Sequence, residues 1–70
     1  MELSGTVKYF QMGSGAWGLI TDDGTQYELI GPLPPSLSDG QRITLKGELK
    51  PNAVSMAMIG KVIMVKEIES

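Results

Sequence analysis

The sequence predicts an all-β domain, one small barrel built from five short strands. Three observations lead there. Segments rich in β-branched and aromatic residues recur along the chain, each bounded by Gly, Asp-Gly or Pro turn signals. Within them apolar residues alternate with a period of two, and no long window carries a helical period. The chain is 70 residues long, room for one core and no more.

Thr6-Val7-Lys8-Tyr9-Phe10 follows Gly5, contains no breaker and reads as the first strand. Alternation puts Val7 and Tyr9 on one of its faces and Thr6, Lys8 and Phe10 on the other. Met12-Gly13-Ser14-Gly15 is a turn. Ala16 to Thr21 is the second strand, closed by Asp22-Asp23-Gly24, the strongest hairpin signal in the chain. Thr25 to Ile30 is the third, so the chain meanders as far as Ile30.

Gly31 to Gly40 contains Pro32, Pro34 and Pro35, which donate no backbone hydrogen bond, and forms a long connection. A helical turn over Pro34 to Leu37 would let Leu33 and Leu37 cover one end of the barrel. Arg42 to Leu49 alternates most cleanly, with Ile43, Leu45 and Leu49 inward and Arg42, Thr44, Lys46 and Glu48 outward. Lys50-Pro51-Asn52-Ala53 then turns the chain. An apolar run follows from Val54 to Glu67, broken at Gly60, where a bulge or a sharp barrel corner is expected.

Three meandering strands, a longer connection and two further strands give the count and spacing of an OB-type antiparallel barrel. In the last strand Val62, Ile63, Met64 and Val65 are apolar on both faces. Such a strand is expected to be covered on each side, by the core and by a loop or a partner.

Composition narrows the function. With no Cys and no His, the chain has neither a disulfide nor a Cys/His zinc site to hold it together. A hydrophobic share of 41% with 20% charged residues is that of a folded domain, not a disordered one. Met1-Glu2-Leu3-Ser4-Gly5 carries neither the basic nor the apolar region of a signal peptide, and no stretch is long enough to span a bilayer, so the expected location is cytoplasmic. The net charge of −2 weighs against a protein that grips phosphates.

Gly5-Thr6-Val7-Lys8-Tyr9-Phe10-Gln11 is similar to the opening G-T-V-K-W-F-N of the bacterial cold-shock domain, itself an OB-fold. After one extra turn residue, Gly15-Ala16-Trp17-Gly18-Leu19-Ile20-Thr21-Asp22-Asp23-Gly24 resembles that family's K-G-F-G-F-I-T and its acidic turn. The likeness covers the first 24 or so residues, about a third of the chain. It implies a cold-shock-like barrel whose outward aromatics stack single-stranded bases beside basic residues, a role that falls here on Lys8, Tyr9, Phe10 and Trp17. In that arrangement Trp17 and Leu19 lie beside Lys8 and Phe10. The chain also departs from the pattern: Leu19 stands for the second aromatic, Ser14 or Gly15 for the preceding Lys, and Gln26-Tyr27-Glu28-Leu29-Ile30 for V-F-V-H-F. A carboxylate at Glu28 on the same face would repel phosphates. The second half, from Asp39-Gly40-Gln41-Arg42-Ile43 to Ser55-Met56-Ala57-Met58, looks more like small bacterial OB-like domains, which informs on fold and hardly on ligand.

Other features read as structural. Tyr9 and Trp17 read rather as completing a core short of large side chains, where an aromatic contributes the most buried area per residue. Met56, Met58 and Met64 are soft ligands in principle, yet without Cys or His beside them they read as gap-filling core residues, so no metal and no cofactor is expected. Gly13-Ser14-Gly15 links two strands and opens no helix, so it lacks the phosphate-cradling mechanism. Asp22 and Asp23 are adjacent turn formers, not converging carboxylates, and no His base is present. The expectation is a non-enzymatic module, without an evident small-molecule substrate, that binds a protein partner or associates with itself. The alternative is a diverged cold-shock-like binder of single-stranded nucleic acid.

Overall fold

Strands form where the alternation lies: β1 (Glu2–Phe10), β2 (Ala16–Thr21), β3 (Gln26–Ile30), β4 (Arg42–Lys50) and β5 (Lys61–Glu69). These come from a computed structural model that describes residues 1–11, 15–53 and 59–69. The strands close into a barrel in the order β1-β2-β3-β5-β4, with β4 pairing back onto β1. This is the OB-type barrel expected from strand count and spacing.

The barrel is not antiparallel throughout, because β3 and β5 run parallel, from Tyr27↔Lys61 to Ile30↔Met64. The remaining pairs are antiparallel. Strand directions can alternate all the way round a ring only if the number of strands is even. Five strands leave one like-directed pair, and it falls where the excursion into β4 separates β3 from β5 along the chain.

β1 begins at Glu2, earlier than its own residues suggest, because β4 supplies the ladder from Glu2↔Lys46 to Thr6↔Arg42. From Gly5 to Phe10 it pairs with β2 as well, so that Gly5 and Thr6 are paired on both sides. The two ladders overlap from Gly5, where an ideal Cβ would lie 2.2 Å from the Ile20 carbonyl oxygen. No side chain fits in that gap, so glycine is what lets the two strands approach.

Val7, Leu19, Leu29, Ile43, Leu45, Ile63 and Val65 fill the inside. Each such side chain contributes about 1.5–3 kcal/mol on burial, the main favourable term available to a chain this short. Leu37 plugs one end. It is buried with the core, and Leu33 packs against the same cluster. Over Pro34 to Leu37 the connection makes one turn, the Leu37 N–H donating to the Pro34 carbonyl at 3.0 Å, and a second follows, the Gln41 N–H donating to the Ser38 carbonyl at 3.1 Å. Its far end extends the β1–β4 ladder: the Gly40 N–H donates to the Val7 carbonyl and the Val7 N–H to the Gln41 carbonyl, each at 2.8 Å.

Ile43 and Leu45 point in, Leu49 packs against the core, and Lys46 and Glu48 are exposed, as the alternation requires. The register between β4 and β5 then shifts between Lys46 and Gly47, leaving Lys66 as the extra residue of β5. Gly60 is a bend at the entrance to β5, and an ideal Cβ there would meet the Gln26 carbonyl oxygen at 2.2 Å. Met64 is not a core residue. It alternates outward from Ile63 and Val65, and its sulfur lies against Gly31. The readings of Met56 and Met58, and most of the turn before Gly15, lie outside the described residues.

Candidate binding face

In an OB-type barrel the outer surface of the second and third strands, flanked by the β1–β2 and β4–β5 connections, is where ligands are held. Register fixes what stands there. Lys8↔Gly18, Gly18↔Glu28, Glu28↔Val62 and Val62↔Lys50 form one row that crosses every strand of the barrel. A second row begins with Phe10↔Ala16 and continues through Ile30↔Met64 to Glu48. Thr6↔Ile20↔Gln26 is a third.

The four aromatic and basic residues singled out above divide between the two sides of this wall. Lys8 and Phe10 are outside, with the Lys8 ammonium 5.5 Å from the centre of the Phe10 ring. Tyr9 and Trp17 share the side of Val7 and Leu19, because Val7↔Leu19 and Tyr9↔Trp17 are successive inward pairs of one ladder. Their ring centroids are 4.8 Å apart at an interplanar angle of 59°, a tilted contact of the kind aromatic pairs favour. Trp17 packs against the core cluster, and the Tyr9 hydroxyl lies against Gly15. Trp17 and Leu19 therefore do not join Lys8 and Phe10. The backbone pairing of β2 with β1 decides which parity of β2 faces in, and the strand's own residues carry no mark of it.

Phe10 does not stand free. Its ring lies across Gly18, where an ideal Cβ would be 2.7 Å from a ring carbon, and a methyl of Ile59 comes to the same place at 3.4 Å. Glycine at this position lets an aromatic ring come against β2 where a side chain would stand. Beside it Glu28 is only 7% exposed and Val62 only 2%, although both point away from the core. The two-sided apolar character of β5 is thus covered from outside within the chain. Phe10, Ala16, Ile20, Ile30 and Met64 are half-buried on the same surface. Sequence reading missed Ala16, Ile20, Ile30 and Ile59 as members of it. For the strand residues among them the available signal was parity: each is offset by one from an inward residue.

Two charges stand on this face, the exposed Lys8 ammonium and the buried Glu28 carboxylate, and the others border it. Lys50 borders it but contacts Glu48 at 3.4 Å, and Glu48 also meets Lys66 at 3.7 Å. The lysines hold the Glu48 carboxyl below its ordinary range, Lys50 most strongly. Arg42 is bound to Asp22 at 2.8 Å, tying the β2–β3 turn to β4. That hydrogen bond lowers the Asp22 carboxyl and raises the guanidinium. Asp23 is lowered by bonds from the Thr21 hydroxyl and the Thr25 backbone, which makes it a turn residue. Lys61 flanks a cleft of about 430 Å³ walled by Leu49, Pro51, Ala53 and Val62.

Among the described residues, no three His, Cys, Asp or Glu side chains converge as metal ligands. No helix among them is long and apolar enough to cross a membrane. Compared with known proteins, the chain matches no family model, no curated sequence and no solved structure.

Proposed function

We propose that this barrel is a non-enzymatic protein-binding module, joining a protein partner or another copy of itself. The observation that carries the reading is the outward row Phe10, Ala16, Ile30 and Met64, apolar where a solvated wall would alternate to polar side chains. Two further features favour it over a polyanion. The rings are divided across the wall, which leaves one outward aromatic where a stacking platform needs several. A buried carboxylate, Glu28, occupies the middle of the face.

A second reading, a diverged cold-shock-like binder of single-stranded nucleic acid, is favoured by one observation, the Lys8 ammonium over the outward Phe10 ring. One experiment separates the two. Proteins captured on the immobilised domain are purified and titrated individually, and labelled oligo-dT and a mixed RNA are titrated in parallel by fluorescence anisotropy. The protein reading expects a captured partner whose affinity drops by about tenfold or more with Ala16→Glu. It also expects no anisotropy change at about 100 μM domain in low salt. Oligonucleotide binding that weakens with salt and is lost in Phe10→Ala, with no Ala16-dependent protein, would replace it by the second.

A further inference from the structure

Closing a barrel removes strand edges only where every strand is paired on both sides, and β5 is not. β3 accompanies it from Lys61 to Met64 and then stops. Gly31, with φ +99°, turns the chain away, and Pro32 and Pro34 have no N–H with which to continue the ladder. From Lys66 onward β5 is paired with β4 alone, and among the described residues no other backbone group bonds to it. Between Pro32-Leu33-Pro34 and Val65-Lys66-Glu67-Ile68 lies an open groove of about 360 Å³. Val65 at its floor belongs to the core, and Leu33 and Ile68 pack against that core half-exposed.

We propose that this edge receives the same edge of a second copy of the chain, the two β5 strands running antiparallel about a two-fold axis between Lys66 and Glu67. The inference extends the protein-binding reading to a second surface, separate from the outward row of Phe10, Ala16, Ile30 and Met64, and names the partner there. Four residues make the case. Across such an axis Val65 stands opposite Ile68 of the other copy, and Lys66 opposite Glu67. The segment is therefore complementary to itself, apolar against apolar and cation against anion, at the separation where cross-strand pairs interact. A one-residue slip in either direction breaks this, setting Lys66 or Glu67 opposite its own copy. Lysine and glutamate on an edge normally deter sheet-to-sheet association. Here their order deters foreign strands and admits this one. An isologous contact also closes at two copies and does not propagate into fibres.

The four-residue strand pair with the flanking prolines is smaller than the about 1,600 Å² that a standard interface buries, so the dimer belongs to the weak, concentration-dependent class. Lys66 also meets Glu48, at 3.7 Å with both side chains mostly exposed, and Glu48 keeps Lys50 when Lys66 is changed.

The test is sedimentation velocity on the purified chain from about 10 μM to about 1 mM, with circular dichroism confirming that each variant folds. The wild type is expected to shift from monomer to dimer across this range. Lys66→Glu and Glu67→Lys each place like charges opposite one another twice and abolish the shift. The double exchange Lys66→Glu/Glu67→Lys restores it, and an equimolar mixture of the two single variants forms a mixed dimer. A wild type monomeric throughout, or single variants that dimerise as the wild type does, would overturn the proposal. Ala16→Glu, which probes the outer face two strands away, leaves this self-association unchanged. Either reading can therefore fail without the other.

Discussion

Replacing Trp17 by alanine removes the largest side chain of the inner wall and asks directly which side of the barrel it serves. Trp17 packs against the core cluster and stands 4.8 Å from the Tyr9 ring. A fully buried aromatic truncated to alanine costs about 3–5 kcal/mol. Trp17 is half-buried, so the expected loss is about 2–3 kcal/mol, including the aromatic pair. A domain of 70 residues has about 3.5–10 kcal/mol of stability in total, so this loss removes a large share of it. At about 4–8 °C per kcal/mol for this size, its melting midpoint falls by about 8–24 °C, read by far-ultraviolet circular dichroism. A base-stacking tryptophan would behave in the opposite way. Its removal would leave stability within about 0.5 kcal/mol, as surface substitutions do, and would cost about 1–3 kcal/mol of oligonucleotide affinity. A Trp17→Ala chain that melts like the wild type would refute the inward placement and with it the case against a stacking platform.

Three further outcomes follow from the same geometry. Gly5→Ala brings a Cβ to 2.2 Å from the Ile20 carbonyl, all backbone, and is expected to lose at least about 1–3 kcal/mol in urea melts, whereas equal stability would mean that β1 and β2 do not approach so closely there. Leu37→Ala unplugs the barrel end for about 2–5 kcal/mol, and a loss under about 1 kcal/mol would show the connection to be a passive tether. Asp22, Asp23 and Glu48 are all held below the ordinary carboxylate range, so the stability they add is present above about pH 4 and is lost as pH falls through their lowered values. Asp22→Asn should therefore flatten the fall in melting temperature below that pH, and an unchanged slope would remove Arg42–Asp22 from the account.

Much of the fold is legible from alternation because one face of each strand is buried and period two then has a physical cause. β2, the Asp22-Asp23-Gly24 turn, the Pro-broken connection and the inward set of β4 are of this kind. What alternation cannot report is pairing. Glu2, Leu3 and Ser4 are strand because β4 lies beside them, which no local propensity records. The parallel β3–β5 contact follows from the odd number of strands and is a property of the ring, not of any segment. The faces of Trp17 and Met64 depend on parity carried across a turn or past Gly60, where a single residue reverses inside and outside. Phe10 was legible because it shares an uninterrupted strand with Val7; Trp17 was not, because the turn before Gly15 intervenes.

The division of the rings between the two sides of the wall is best tested by a NOESY spectrum of the labelled chain. Contacts are expected from the Trp17 indole to the Tyr9 ring and the Leu29 methyls, and from the Phe10 ring to the Gly18 Hα and the Ile59 methyls. Contacts from the Trp17 indole to Phe10 or to the Lys8 side chain would put three of the four residues on one surface, and the protein-binding account would give way to a stacking one.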